Sequence, residues 1–133
     1  MPNPAYSKRK IDKPFYEGPR SASWVDLDDL TDNQRLKVQL IIDAMDWPQY
    51  VFFRYDGKDR SVAPFVVGVS SEGNPLLRGY QVEGESRSGK GWGWRVFQVN
   101  KIEDLEICNE YFRKEEFEFD QLYPWIYRVF KTL

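Results

Sequence analysis

The stretch VFFRYDGKDRSVAPFVVGV, residues 51–69, decides the fold. Val51 to Tyr55 are mostly aromatic or β-branched and read as a strand. Asp56-Gly57 follows, two residues that tolerate positive φ and so mark a tight hairpin. Ser61 to Val69 is a second strand, in which Pro64 lacks an N–H and therefore marks an edge or a bulge. The same rhythm continues downstream. Glu72-Gly73-Asn74-Pro75 turns the chain, and Leu76 to Val82 is a third strand. Gly84 to Gly91 is a polar, glycine-rich loop, Trp92 to Asn100 a fourth strand, and Ile102 to Ile107 a short fifth. Strands spaced by roughly ten residues imply a small barrel or sandwich.

Upstream of Tyr50 the period is helical. Leu36, Leu40, Ile41, Ala44 and Met45 recur on one side, giving a core-packing helix over residues 31–46. Thr31 and Gln34 form a capping box, and Asp32 suits the positive end of the helix dipole. Trp47-Pro48 ends the helix, since a residue before proline is pushed out of α geometry. The acidic run Asp26, Asp28, Asp29 and Asp32 lacks the spacing and the glycine of a calcium loop. Residues 1–23, with four prolines and the cluster Ser7 to Lys10, read as a flexible basic arm. Residues 108–133 form a C-terminal extension. There Leu122, Ile126, Val129 and Leu133 have the spacing of a short helix, with Pro124 in its first turn. Its Trp125, Tyr127 and Phe130 would cover the barrel or a partner chain. The expected fold is mostly β: a five-stranded barrel over 50–107, one preceding helix and a short terminal one, in a single domain over 24–133.

Composition narrows the chemistry. The chain of 133 residues is 17% aromatic and 30% charged, as a folded domain with a hydrated surface is. No apolar run reaches the length of a membrane span, and the basic start has no apolar h-region. The single cysteine, Cys108, cannot form an internal disulfide, which fits a reducing, cytoplasmic setting. There is no histidine, so Ser-His-Asp and Cys-His sites and most zinc sites are absent. No catalytic residue, metal or cofactor is expected. Residues 51–101 carry eight Lys/Arg against five Asp/Glu, whereas 24–50 and 102–133 each have an excess of four acids. An anionic ligand is therefore drawn to the barrel. Gly84 to Lys90, GESRSGK, resembles the start of a phosphate-binding loop, but Gly91 stands where Ser or Thr must be, and a strand pattern follows instead of a helix.

Two segments together carry a family resemblance: YDGKDRSVAPFVVG (55–68), and LLRGYQVEG continuing through the loop to GWRVFQVNKIEDLEI (76–107). The series resembles the WYL domain of bacteria and their phages, above all its compact stand-alone members without a helix-turn-helix. The resemblance implies an Sm-like or SH3-like barrel that senses a ligand, often single-stranded nucleic acid or a nucleotide, in a regulator or accessory protein. The family's Trp-Tyr-Leu positions fall on Pro75, Leu76 and Leu77. Arg95 matches the arginine-rich run that follows, while Gln98 and Lys101 replace arginines there.

Strand alternation puts Arg78 and Tyr80 on one side of the third strand, and Arg95, Phe97, Val99 and Lys101 on one side of the fourth. Guanidinium groups pair with phosphates and aromatic rings stack bases. The candidate ligand-binding residues are Arg60, Arg78, Tyr80, Gln81, Trp94, Arg95, Gln98 and Lys101, with the binding face running through Arg78, Tyr80, Arg95 and Lys101. The plainer alternatives are core packing for Tyr80 and Trp94, cross-strand ion pairs for Arg78 and Arg95, and simple exposure for Lys101. The expected function is a non-catalytic, ligand-sensing or nucleic-acid-binding module, possible as a homo-oligomer. The alternatives are a protein–protein adaptor, such as a phage or defence accessory factor whose acidic flanks hold a basic partner, and a small-nucleotide sequestering protein.

Overall fold

The computed structural model describes residues 26–84, 91–118 and 125–133. The basic arm over 1–23, and Arg87 and Lys90 in the glycine-rich loop, lie outside them.

A 3-10 turn, Leu27–Asp29, leads into α1, Asp32–Asp46. Thr31 caps α1 as its sequence requires: the Gln34 N–H donates to Thr31 Oγ1 at 3.2 Å, and the Thr31 N–H to Gln34 Oε1 at 2.9 Å. Trp47 leaves the helix in an extended conformation. Six antiparallel strands follow among the described residues: β1 Gln49–Tyr55, β2 Lys58–Val69, β3 Pro75–Gly84, β4 Gly93–Gln98, β5 Glu103–Tyr111 and β6 Arg128–Thr132. Asp56 and Gly57 both have positive φ, at 54° and 75°, so the β1–β2 hairpin turns where Asp-Gly placed it.

The sheet path is β4-β3-β2-β1-β5, with β6 also on β2. It is an open sheet, not the closed five-stranded barrel expected, because β4 and β5 are its two ends and share no ladder. It is nevertheless curled. Five flat strands would hold β4 and β5 about 19 Å apart. The connection from Gln98 to Glu103 is mostly the 3-10 turn Val99–Lys101. At roughly 2 Å per 3-10 residue that connection reaches only about 13 Å, so the ends must approach each other. Register shifts in the β1–β5 and β2–β3 ladders supply the bends.

β2 is the spine of the molecule. It is a central strand, and Pro64 sits there beside a bulge: Pro64 faces Gly79 and Val66 faces Arg78, so Phe65 is the extra residue. The bulge reverses the alternation, and Val62, Val67 and Val69 therefore all enter one core with Phe53, Leu77, Phe97 and the α1 residues Val38, Ile41 and Met45. Ala63, Phe65 and Val66 enter a second core on the far side, with Leu76, Phe112 and Ile126. β1 runs alongside β2 only as far as Val51 opposite Val62. β6 takes up the vacant side from there, with Val66 opposite Thr132 and Val69 opposite Arg128. Where it is described, the expected C-terminal helix is a strand over Arg128–Thr132; its Leu122 and Pro124 lie outside the described residues. Apolar residues in so short a run do not separate helix from strand, and the unpaired half of β2 decides the matter.

Candidate functional site

Residues opposite each other in an antiparallel ladder project to the same side. In the β3–β4 ladder Arg78 faces Val96, Gly79 faces Arg95, and Tyr80 faces Trp94. Arg78, Tyr80 and Trp94 therefore share the far side with Val96, while Arg95 shares the helix-facing side with Leu77 and Phe97. The single face expected through Arg78, Tyr80, Arg95 and Lys101 is not what forms. Alternation groups the residues of one strand but leaves the register of its neighbour open. Lys101 is not on a strand at all; it is exposed in the 3-10 turn after β4.

On the helix-facing side, Arg60 and Gln81 are buried together, at 5% and 0% exposure. Arg60 Nη1 donates to Gln81 Oε1 at 3.0 Å and Nη2 donates to the Tyr55 carbonyl at 3.2 Å. Its guanidinium lies 5.5 Å from the Tyr55 ring centroid and 5.9 Å from that of Phe97. Gln81 Nε2 donates in turn to the Gly91 carbonyl at 3.2 Å. A charge this far from water persists only when hydrogen-bonded and sandwiched. This pair is a brace tying β1, β2 and β3 to the start of β4. Arg95 lies further out, half-buried, with Nη1 donating to the Trp94 carbonyl at 3.2 Å.

On the far side, aromatic rings fill the space. Trp94 meets Phe65 at 4.9 Å and Tyr80 at 5.3 Å between centroids, both edge to face. Phe117, beside the 3-10 turn Lys114–Glu116, covers Tyr80 at 5.1 Å. Trp94 Nε1 donates to the Glu118 carbonyl at 3.1 Å, and the Arg78 guanidinium sits 5.0 Å from the Trp94 centroid. Tyr80 and Trp94 are therefore packing residues, the plainer of their two readings. Trp92, absent from the candidates, is 59% exposed at the entrance to β4. Its signal was in the sequence: a tryptophan between Gly91 and Gly93 is flanked by residues with no side chains to cover it.

The candidates thus reassemble around an edge rather than a face. β4 is an end strand. Arg78 flanks it on one side and Arg95 on the other, Trp92 opens at one end, and exposed Gln98 and Lys101 stand at the other. Tyr55 Oη accepts the Gln98 backbone N–H at 2.9 Å and fixes that end.

Comparison with family models, with curated proteins and with solved structures finds no match for this chain. Among the described residues there is no group of three or more His, Cys, Asp or Glu placed to hold a metal ion. No helix among them is long and apolar enough to cross a membrane.

The acidic counterpart of the β4 edge lies on β5. Burial, then Glu106 and Glu110, push the Cys108 thiol above its usual value of 9.0. Burial, then Glu116 and Glu110, push up the Tyr50 phenol. A raised thiol pKa lowers the share of Cys108 present as thiolate at mildly alkaline pH. Iodoacetamide is expected to modify Cys108 several-fold more slowly than it modifies a free cysteine peptide at pH 8, with the deficit shrinking above pH 10. Parity at pH 8 in the folded protein contradicts this reading.

Proposed function

We propose that this protein is a non-catalytic module that binds an anionic ligand, a single-stranded nucleic acid or a nucleotide, along the β4 edge. One observation carries the reading: Arg78 and Arg95 flank the same end strand from opposite sides, and the exposed Trp92 precedes that strand. A phosphate chain running along β4 meets a guanidinium on each side, and a base stacks on the Trp92 ring or on the outer face of Arg78. The strand path, the helix before β1 and the 3-10 turn between β4 and β5 support an Sm-like or SH3-like barrel as the parent architecture. That architecture supports, in turn, the WYL-like resemblance of residues 55–107. Arg60 and Gln81 act here by positioning the base of β4, and Tyr80 and Trp94 by supporting Arg78.

The test is fluorescence anisotropy with a labelled oligothymidylate twelve nucleotides long, against thymidine monophosphate as competitor. The Arg78→Ala/Arg95→Ala double variant is expected to bind at least about tenfold more weakly. Its dependence on salt should flatten by about 0.7 in log–log slope for each phosphate that no longer meets a cation. Monophosphate competing as well as an unlabelled oligonucleotide assigns a nucleotide as the ligand. Wild-type affinity that is indifferent to salt, or unchanged binding by the folded double variant, sinks the proposal.

A further inference from the structure

The other end of the sheet carries the opposite charge. β5 pairs with β1 alone along the described sheet, which leaves its outer backbone edge open. Its nine residues include Glu103, Asp104, Glu106 and Glu110, all exposed, and no lysine or arginine. The C-terminal end of β5 runs into a shallow apolar cleft lined by Trp47, Pro48, Tyr111 and Phe112. Trp47 is 74% exposed and Tyr111 65%. Cleft and edge are held together: Gln49 faces Tyr111 in the ladder, and the Phe112 N–H donates to the Pro48 carbonyl at 3.0 Å.

An open edge offers a row of N–H and C=O groups to any extended chain. The charge on this edge selects among the chains that could use it. A second copy presenting its own β5 brings carboxylate against carboxylate. Nucleic acid is repelled for the same reason. The carboxylates are strung along the strand and do not converge on a point, so a single cation is not their natural partner. An extended segment bearing lysines or arginines matches them, and an apolar side chain matches the cleft.

We propose that the β5 edge docks an extended basic segment of a partner protein, added antiparallel to β5, with its cations against Glu106 and Glu110 and an apolar residue between Trp47 and Tyr111. Main-chain hydrogen bonds give such strand addition its affinity, and side-chain pockets its specificity. The site is separate from the β4 edge and does not depend on the anion-binding reading.

The probe is the peptide Leu-Lys-Val-Lys-Val-Lys-Val, labelled at its C-terminus so that its leucine can reach the cleft. Saturable binding to the full chain is expected, with slowed amide exchange along Glu103–Tyr111. Glu106→Lys/Glu110→Lys should weaken binding about tenfold or more, as loss and reversal of complementary charge does. Trp47→Ala should weaken it several-fold. All three side chains are exposed, and unchanged circular dichroism confirms that the variants fold. The version with glutamate for each lysine should not bind, and oligothymidylate should not displace the lysine peptide. Equal affinity for wild type and the charge-reversed variant overturns the proposal, as does protection of β4 in place of β5. A dimer of the free protein that the same two substitutions dissolve also overturns it, because the edge would then belong to a second copy.

Discussion

Replacing Phe97 by alanine should lower folding stability by about 3–5 kcal/mol, the usual range for a buried phenylalanine. Phe97 is 1% exposed, and its ring stands edge to face with both Phe53 and Tyr55 at 5.0 Å. It also lies under the Arg60 guanidinium, 5.9 Å from its centroid. The truncation removes apolar area, leaves a cavity where β1, β2 and β4 meet, and strips one wall from a buried charge. Small domains have about 5–15 kcal/mol of stability in total. Urea unfolding should show a large fall in the midpoint. Trp92→Ala should change stability by no more than about 0.5 kcal/mol, as an exposed substitution does. The pair separates core from surface: Phe97 governs whether the protein folds, whereas Trp92 is the ring on which the proposed function stacks a base. Equal effects of the two on stability would contradict that division.

Gly68→Ala should be comparably damaging for a different reason. A Cβ on Gly68 would stand 2.1 Å from the Arg128 carbonyl oxygen and 2.7 Å from Ile126 Cγ2. The obstacle is backbone, which cannot rotate aside, so the cost should exceed the roughly 1–3 kcal/mol of ordinary overpacking. The least disruptive relief is to push β6 off β2. Hydrogen exchange should therefore quicken first at the amides β6 ties down, including the Leu133 N–H that donates to the Phe65 carbonyl at 2.9 Å. The β1–β2 hairpin should keep its protection. Gly57→Ala is a useful contrast. Nothing lies within 4 Å of its added carbon, but φ is +75°. The expected cost there is about 1–2 kcal/mol of left-handed strain, with β6 undisturbed. A milder loss at Gly68 than at Gly57 would mean that β6 is not packed as closely as described.

What sequence could and could not determine follows from the range of the interactions involved. Local chemistry was readable: Thr31 and Gln34 cap the helix, Trp47-Pro48 ends it, Asp56-Gly57 makes the hairpin, and Pro64 marks an edge or a bulge, of which the fold has the bulge. Each of these depends on neighbours a few residues away. The charge contrast between the middle of the chain and its flanks was also readable, because composition alone carries it. The C-terminal strand was not, since Val129 and Phe130 suit either period. Only the half of β2 that β1 leaves unpaired, some sixty residues upstream, makes them a strand. Nor was the sharing of sides between β3 and β4, because register depends on bulges and on the partner strand rather than on either sequence. That register turned an expected basic face into a basic edge. Tertiary packing likewise decided that Tyr80 lies under Phe117, that Trp94 is tied to the Glu118 carbonyl, and that Trp92 is largely exposed.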